Sequence, residues 1–297
     1  MPELINPRGQ DNPSTYFVED RSSNPEMIRI MIQDNMVTLG MGGPLSERAD
    51  PTLLHSVLDI GCGPGGWLLE TAATYPQIPR LVGIDISWRM IEYARAEAQA
   101  RKVSDRTEFL VMDALRRLEF PDHEFDLVNV RLVTSWMLVQ NWPRFLGELV
   151  RVTRPGGIVR VTDAEPLMLS NSPAHMQLGR MVHKALYRAG HLRSLDSAGM
   201  TLALPQLILE SGCENVQTRD YTLEYPAGTV AGKNFYENAM YGYQTLLPFL
   251  QKWDCVTGDY NALYEQAMIE MQQPDFYATW HLVTSWGTKR DPVSPNS

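Results

Sequence analysis

The stretch Val57-Leu-Asp-Ile-Gly-Cys-Gly-Pro-Gly-Gly-Trp67 decides how the rest of the chain is read. Val57–Ile60 is a short apolar run of the kind that forms a buried parallel strand. A glycine loop follows it, and a helical pattern begins at Trp67. Gly61, Gly63 and Gly66 satisfy the loose G-x-G-x-x-G spacing of nucleotide-binding loops. Two residues argue against a dinucleotide. Asp59 ends the strand, where a carboxylate repels a pyrophosphate. Pro64 stands in the turn and has no N–H to offer a phosphate oxygen. A cationic ligand without phosphate suits the loop better.

Outward from this stretch the chain alternates strand and helix. Leu81–Ile84, Phe109–Met112, Leu127–Val130 and Ile158–Val161 read as further buried strands. Trp67–Thr74, Ser87–Lys102 and Trp142–Arg151 read as helices between them. In the second of these, Met90, Ile91, Ala94 and Ala98 share a face, with Ser87 as cap. Pro155-Gly156-Gly157 reads as the turn that stops the third. Five strand–helix steps predict an open, doubly wound sheet with right-handed crossovers. On the N-terminal side, Asn24 as cap, Pro25 and Glu26 open a helix whose Met27, Ile30, Met31 and Met36 recur at near-helical spacing, closed by Gly40, Gly42 and Gly43. Beyond Thr162 the rhythm changes. Met176–Ala189, Leu204–Ser211 and most of 227–273 read as helix, and Val216–Leu223 and Tyr277–Trp286 as strands. The organisation expected is an N-terminal extension with a lid helix over 1–50, a ligand-binding core over 51–165, the remainder of the fold with helical cap insertions over 166–290, and a loose tail over 291–297. The polar residues 1–20 are expected to fray.

Composition fits a globular chain. There are 297 residues, 44% apolar and 21% charged. A net charge of −9 speaks against a protein that grips a nucleic-acid backbone. Three separated cysteines, Cys62, Cys213 and Cys255, allow neither a disulfide framework nor a CxxC zinc pattern. No stretch approaches 18 apolar residues, and the polar N-terminus lacks an apolar signal-peptide core. A cytoplasmic location is the expectation.

The glycine segment resembles motif I of the class I S-adenosylmethionine-dependent methyltransferases. Further pieces agree in order: Gly83-Ile-Asp-Ile-Ser87, Phe109-Leu-Val-Met-Asp-Ala114, Phe125-Asp-Leu-Val-Asn-Val-Arg131 and Arg151-Val-Thr-Arg-Pro-Gly-Gly157. The resemblance is similar to the small-molecule branch, which includes ubiquinone/menaquinone-pathway and natural-product (secondary-metabolism) enzymes, and spans roughly residues 55–165. It implies an α/β fold, a doubly wound, mostly parallel seven-stranded Rossmann-like sheet with a helical N-terminal lid and helical insertions. It implies S-adenosyl-L-methionine as cofactor. Asp59, Gly61 and Gly63 then shape the methionine end, Asp85 with Ile86 holds the ribose hydroxyls, and Met112, Asp113 and Ala114 clasp the adenine. Asn129 and Arg131 pass close to the methionine moiety. All these residues fall at the C-terminal ends of strands, where open α/β sheets bind ligands.

The expected reaction is transfer of a methyl group by in-line displacement to the O, N or C atom of a small organic acceptor in an enclosed pocket. Candidate catalytic residues are Tyr16, just before the lid helix, and His175 and His183, eight positions and about two helical turns apart on one expected face. Asp163 and Glu165, after the fifth strand, are further candidates for proton transfer or substrate binding. The Met- and Tyr-rich stretch Tyr236–Tyr243 is a candidate pocket lining or oligomer surface, and His281 is expected to pack. Asp163 and Asn129 are too sparse for a metal cluster, so no metal is expected. The expected partners are a small-molecule acceptor and, through the exposed N-terminal helix, a second copy of the chain. No nucleic acid or membrane is expected. A methyltransferase-like protein that uses the bound cofactor for a non-methylating reaction, a protein or RNA methyltransferase, and a NAD-linked oxidoreductase remain as alternatives.

Overall fold

Strand β1 (Ser56–Ile60) lies at the middle of the parallel part of the sheet, paired with β2 (Arg80–Asp85) on one side and β4 (Phe125–Arg131) on the other. In this computed structural model, which describes residues 15–18, 23–48, 50–195 and 198–291, β3 (Thr107–Val111) and β5 (Thr153–Ala164) extend the sheet in parallel. Then β8 (Tyr277–Lys289) pairs antiparallel with β5, and β7 (Cys213–Pro226) antiparallel with β8. A two-residue strand, β6 (Leu169–Ser170), also pairs with β8. The order is β3-β2-β1-β4-β5-β8, with β7 beyond β8. The seven strands expected are present, and β6 is an eighth. Two residues carry no apolar period, so no pattern could announce it. The frayed N-terminus expected over 1–20 and the loose tail lie largely outside the described residues.

The continuous apolar runs follow from burial on both faces. Along β1, Val57 points to the layer of α2 (Gly66–Thr74) and α3 (Trp88–Ala100), where Leu68, Leu69, Ile91 and Ala94 pack. Leu58 and Ile60 point to the layer of α4 (Trp142–Val152) and α6 (Leu204–Glu210), with Trp142, Phe145 and Leu149. A third apolar cluster joins α1 (Asn24–Gly40), α5 (Pro173–Arg188), α7 (Val230–Lys252), α8 (Tyr260–Glu270) and the ends of β7 and β8. These helices form a cap over the carboxyl ends of the strands.

Several local readings shift. The cap of α1 is Ser23, whose hydroxyl accepts from the Glu26 N–H at 3.4 Å; Asn24 is already helical. The inward face of α1 is Glu26, Arg29, Met36, Val37 and Thr38, whereas Met31, Ile28 and Leu39 are exposed. Ser87 stands at the N-cap of α3, but its side chain makes no capping bond. Pro155-Gly156-Gly157 is drawn into β5, where it accompanies a register shift between Phe125 and Leu127.

Candidate functional site

The glycine loop is shaped from within. Gly61 and Gly63 have φ of +66° and +53°, the left-handed region glycine reaches without strain. Gly65, at φ +83°, has a further constraint: a Cβ there would lie 2.9 Å from both Ala94 and Phe109. The loop amides bond inward. Cys62 N–H donates to Ile84 O at 2.9 Å, Gly63 N–H to Asp85 Oδ2 at 3.0 Å, and Gly65 N–H to Cys62 O at 2.9 Å. With Pro64 lacking a donor, this loop is not a phosphate cradle of the kind that free helix-end amides make.

A cavity opens above it, at the carboxyl ends of β1 to β4. Asp59, Gly61, Gly63, Asp85, Ile86, Met112, Asp113, Ala114 and Arg131 all line it. Tyr16 and Phe17 close one side, Trp136 faces Gly61, and α1 supplies the roof with Arg29, Ile30, Gln33 and Asp34. Asp85 accepts from Gly63 N–H and, through Oδ1, from Ser87 N–H at 2.8 Å. A carboxylate has acceptor capacity for several donors, enough to serve these amides and a diol together. The neighbouring Ser87 lines the same cavity, and its buried Oγ has no hydrogen-bond partner. Asp113 Oδ1 accepts from Leu115 N–H at 2.9 Å, and Oδ2 pairs with Arg116 at 3.2 Å.

Asn129 does not line the cavity. It is fully buried beneath Asp59, donating from Nδ2 to Asp59 Oδ1 at 2.7 Å. Its own Oδ1 accepts from Arg160 at 2.6 Å, and Arg160 is paired with Glu47 at 2.7 Å, both side chains 1% exposed. Asn129 therefore positions Asp59 and ties it to the segment after α1. Burial pushes the Asp59 carboxyl up to about 7, against the opposing pull of Arg131 and the Asn129 bond. Arg131 is half of an ion pair with Asp34 of α1 and also donates to Thr38 Oγ1 at 3.0 Å. It thus fastens the roof to the end of β4. Asp34 carries no sequence signal: it belongs to no motif, and only the folded helix brings it here; Ser87 is legible as the end of the Gly83–Ser87 segment, but only as a helix cap.

Tyr16 lines the cavity, but its hydroxyl donates to Glu26 and accepts from Arg29 Nη2 at 2.9 Å. Glu26 is fully buried, pairs with Arg29, and accepts from Thr245 of α7 at 3.0 Å. Burial first, then the Glu26 charge, holds the Tyr16 phenol well above its ordinary range. This is a phenol that stays protonated.

A second cavity lies between α1, α5, α7 and the end of β5. It shares Phe17, Arg29, Gln33, Leu132 and Ser135 with the first, so the two meet at a common wall. Asp163, Glu165 and His175 line it, as do Asn238, Ala239, Gly242 and Tyr243 from the Tyr- and Met-rich stretch. His175 Nδ1 bonds Ser170 Oγ at 3.0 Å, and burial pushes the ring down to about 4, so it is neutral at pH 7. Asp163 is buried and accepts from Thr134 Oγ1 at 2.6 Å and Ala164 N–H at 3.0 Å; burial raises it to about 6. His183 does not share the cavity-facing side of α5 with His175: the residues lining from α5 are His175, Gly179, Val182 and Leu186. The small departure of eight residues from whole helical turns is enough to separate them. His281 is half-exposed between Glu165 (3.2 Å) and Asp220 (3.4 Å), rather than packed among apolar groups. Among the described residues no group of three or more His, Cys, Asp or Glu is placed to hold a metal ion, and no helix is long and apolar enough to cross a membrane.

The arrangement is an open, mostly parallel sheet with acids at the ends of its first three strands under a roof of helices, and comparisons with known proteins bear on it. Residues 57–157 match the methyltransferase domain family. The methyltransferase GfsG of Streptomyces halstedii is 32% identical over 123 residues, which cover 40% of this chain and 41% of that protein. The demethylmenaquinone methyltransferase of Oceanobacillus iheyensis is 25% identical over 183 residues, covering 57% of this chain and 73% of that one. The chain thus spans less than half of the first relative. The phosphoethanolamine N-methyltransferase 2 of Haemonchus contortus, solved with S-adenosyl-L-methionine, superposes with a TM-score of 0.55 at 17% identity, over 92% of this chain and 59% of that one, and shares its fold.

Proposed function

We propose that this chain is an S-adenosylmethionine-dependent methyltransferase, with the cofactor in the first cavity and a small organic acceptor in the second. The observation that carries this reading is the shared wall: a cavity ringed by Asp59, Asp85 and Asp113 opens beside a separate, mainly apolar one. The residues fit the cofactor. Asp85 and Ser87 line a space suited to ribose hydroxyls, and the buried Ser87 hydroxyl has no partner within the fold. Asp59 offers a carboxylate to an ammonium, and Met112, Ala114 and Leu115 offer apolar contact to a base.

When bound, the cofactor supplies a methyl group already activated on a sulfonium. What this chain adds is alignment, a contribution worth up to ~7–11 kcal/mol in well-oriented systems. The roof formed by α1 holds the ligand against the strand ends, fastened by Arg131–Asp34 and by Glu26 to α7. Tyr16 and Trp136 wall off water. Tyr16 does not take a proton, since its hydroxyl already serves Glu26. Asp163 and His175 both line the acceptor cavity; Asp163, raised to about 6, is the stronger base of the two, while His175 at about 4 serves as a neutral hydrogen-bonding group.

Asp59 gives the site a pH dependence. A bound ammonium favours the carboxylate, so the value near 7 in the free protein falls in the complex. Affinity for S-adenosylhomocysteine is therefore fully developed above pH 7 and declines below it, by up to about tenfold per pH unit for one linked proton. Calorimetry across pH 5.5–8.5 (about three units around that value) in two buffers reads this directly; Asp59→Asn is expected to flatten the profile.

The reaction itself is tested by product mass. Incubation with isotopically labelled S-adenosylmethionine and a panel of neutral organic acceptors is expected to give a product carrying the labelled methyl. Conversion of an acceptor with no label retained would instead assign a non-methylating reaction to the same site.

A further inference from the structure

The second cavity holds a polar atom that the fold leaves unanswered. Asn238, in the middle of α7, is 5% exposed, lines this cavity, and its Oδ1 is buried without a hydrogen-bond partner. Buried amide oxygens are paired in the great majority of cases, and an unpaired one is costly. Asn238 does not line the first cavity, so it sits away from the wall where the two meet. Around it the walls are largely apolar, with Ala239, Leu246, Val182 and Trp280.

The charges decide which molecules are welcome. Arg29 is the one Lys or Arg among the described residues lining this cavity, and it is already engaged by Glu26 and Gln33. Two carboxylates, Asp163 and Glu165, face the same space. An anionic head group would meet a committed guanidinium and two acids. A neutral molecule with an apolar body and one hydroxyl or N–H donor would satisfy Asn238 Oδ1 without bringing charge.

Resting on the methyltransferase reading, we propose that the acceptor is an uncharged, largely apolar molecule bearing a hydrogen-bond donor remote from the reacting atom, and that Asn238 Oδ1 receives this donor and sets acceptor specificity. A site built to accept a donor discriminates strongly against an analogue that lacks it, because its own polar atom is then left unpaired.

The test uses the full chain saturated with S-adenosylhomocysteine, whose own titration is recorded first. Three matched probes are then titrated by calorimetry: 2-naphthol, 2-methoxynaphthalene and 2-naphthoate. The expected order is 2-naphthol tightest, the methyl ether weaker by about tenfold or more, and the carboxylate without measurable binding. In Asn238→Leu the preference for 2-naphthol over its ether is expected to vanish, with S-adenosylhomocysteine affinity kept and the Tm unchanged or raised, since an unpaired buried oxygen is removed. In Ala239→Phe, which fills the cavity, neither neutral probe binds. Equal binding of 2-naphthol and its ether, tighter binding of 2-naphthoate, or no binding of 2-naphthol to the loaded protein would each overturn the proposal. So would a clear fall in the Tm of Asn238→Leu, which would show that the amide serves the fold. Absence of S-adenosylhomocysteine binding is a separate result and would strike the underlying reading instead.

Discussion

Asp85→Ala is expected to weaken S-adenosylhomocysteine binding by roughly 10²-fold or more. The carboxylate stands at the end of β2 and faces the first cavity. Charge-assisted hydrogen bonds are worth ~1.5–3 kcal/mol each, so two ribose hydroxyls together account for about 3–6 kcal/mol. Asp85 also holds the loop, through Gly63 N–H at 3.0 Å and Ser87 N–H at 2.8 Å. Asp85→Asn is the graded variant, since its single oxygen can accept from only one of the two loop amides. It should fall between the parent and the alanine variant in both affinity and Tm. Unchanged affinity in Asp85→Ala, by calorimetry, would remove this residue from the ribose.

Glu26→Ala is expected to be among the most destabilising single changes in the chain. Glu26 is fully buried and receives Arg29 through two nitrogens, at 2.8 and 2.6 Å, together with Tyr16 and Thr245. Removing the acid leaves a buried guanidinium with Gln33 and Tyr16 alone, a situation that costs about 3–5 kcal/mol. The Arg29 charge holds the Glu26 carboxyl below its ordinary value, despite burial. The stability from this pair is therefore present above the ordinary glutamate range and is lost as pH falls through the lowered value. Because the pair anchors α1 against α7, cofactor affinity should fall with stability. Replacing both partners, as Glu26→Leu with Arg29→Met, should recover much of the Tm, since buried pairs exchanged for apolar residues of similar volume are often neutral or better. A thermal melt in which Glu26→Ala matches the parent would contradict the role given to this network.

How far the sequence carries differs between core and cap. The strand–helix rhythm of the core is legible because strands buried on both faces must be continuously apolar, and because the glycine loop and the acids after it are local features. Asp59, Asp85 and Asp113 could be found for that reason. The cap is harder. The inward face of α1 carries Glu26, Arg29 and Asp34, residue types that on any helix suggest a solvated side, while Ile28, Met31 and Leu39 stand exposed on the other. What makes those charges interior is the docking of α1 on α7 and on the end of β4, where Glu26 takes Thr245 and Asp34 takes Arg131, and that docking is tertiary. Asn129 illustrates the same limit inside the core. Its place near the strand end is readable, but its action through Asp59 depends on Arg160 and Glu47, far apart in sequence. His175 and His183 looked equivalent by spacing, yet the cavity touches only the side of α5 that His175 shares with Gly179 and Val182. Asn238 had no motif at all; what marks it is an unpaired oxygen in an apolar cavity.

The most direct test of the central claim is calorimetric titration of the purified chain with S-adenosylhomocysteine, with NADH as the control. A loop whose amides bond inward and whose strand ends carry acids should bind the first at micromolar concentrations and ignore the second. NADH binding in place of S-adenosylhomocysteine would contradict the account, because it would require this loop to receive a pyrophosphate that Asp59 and Pro64 oppose.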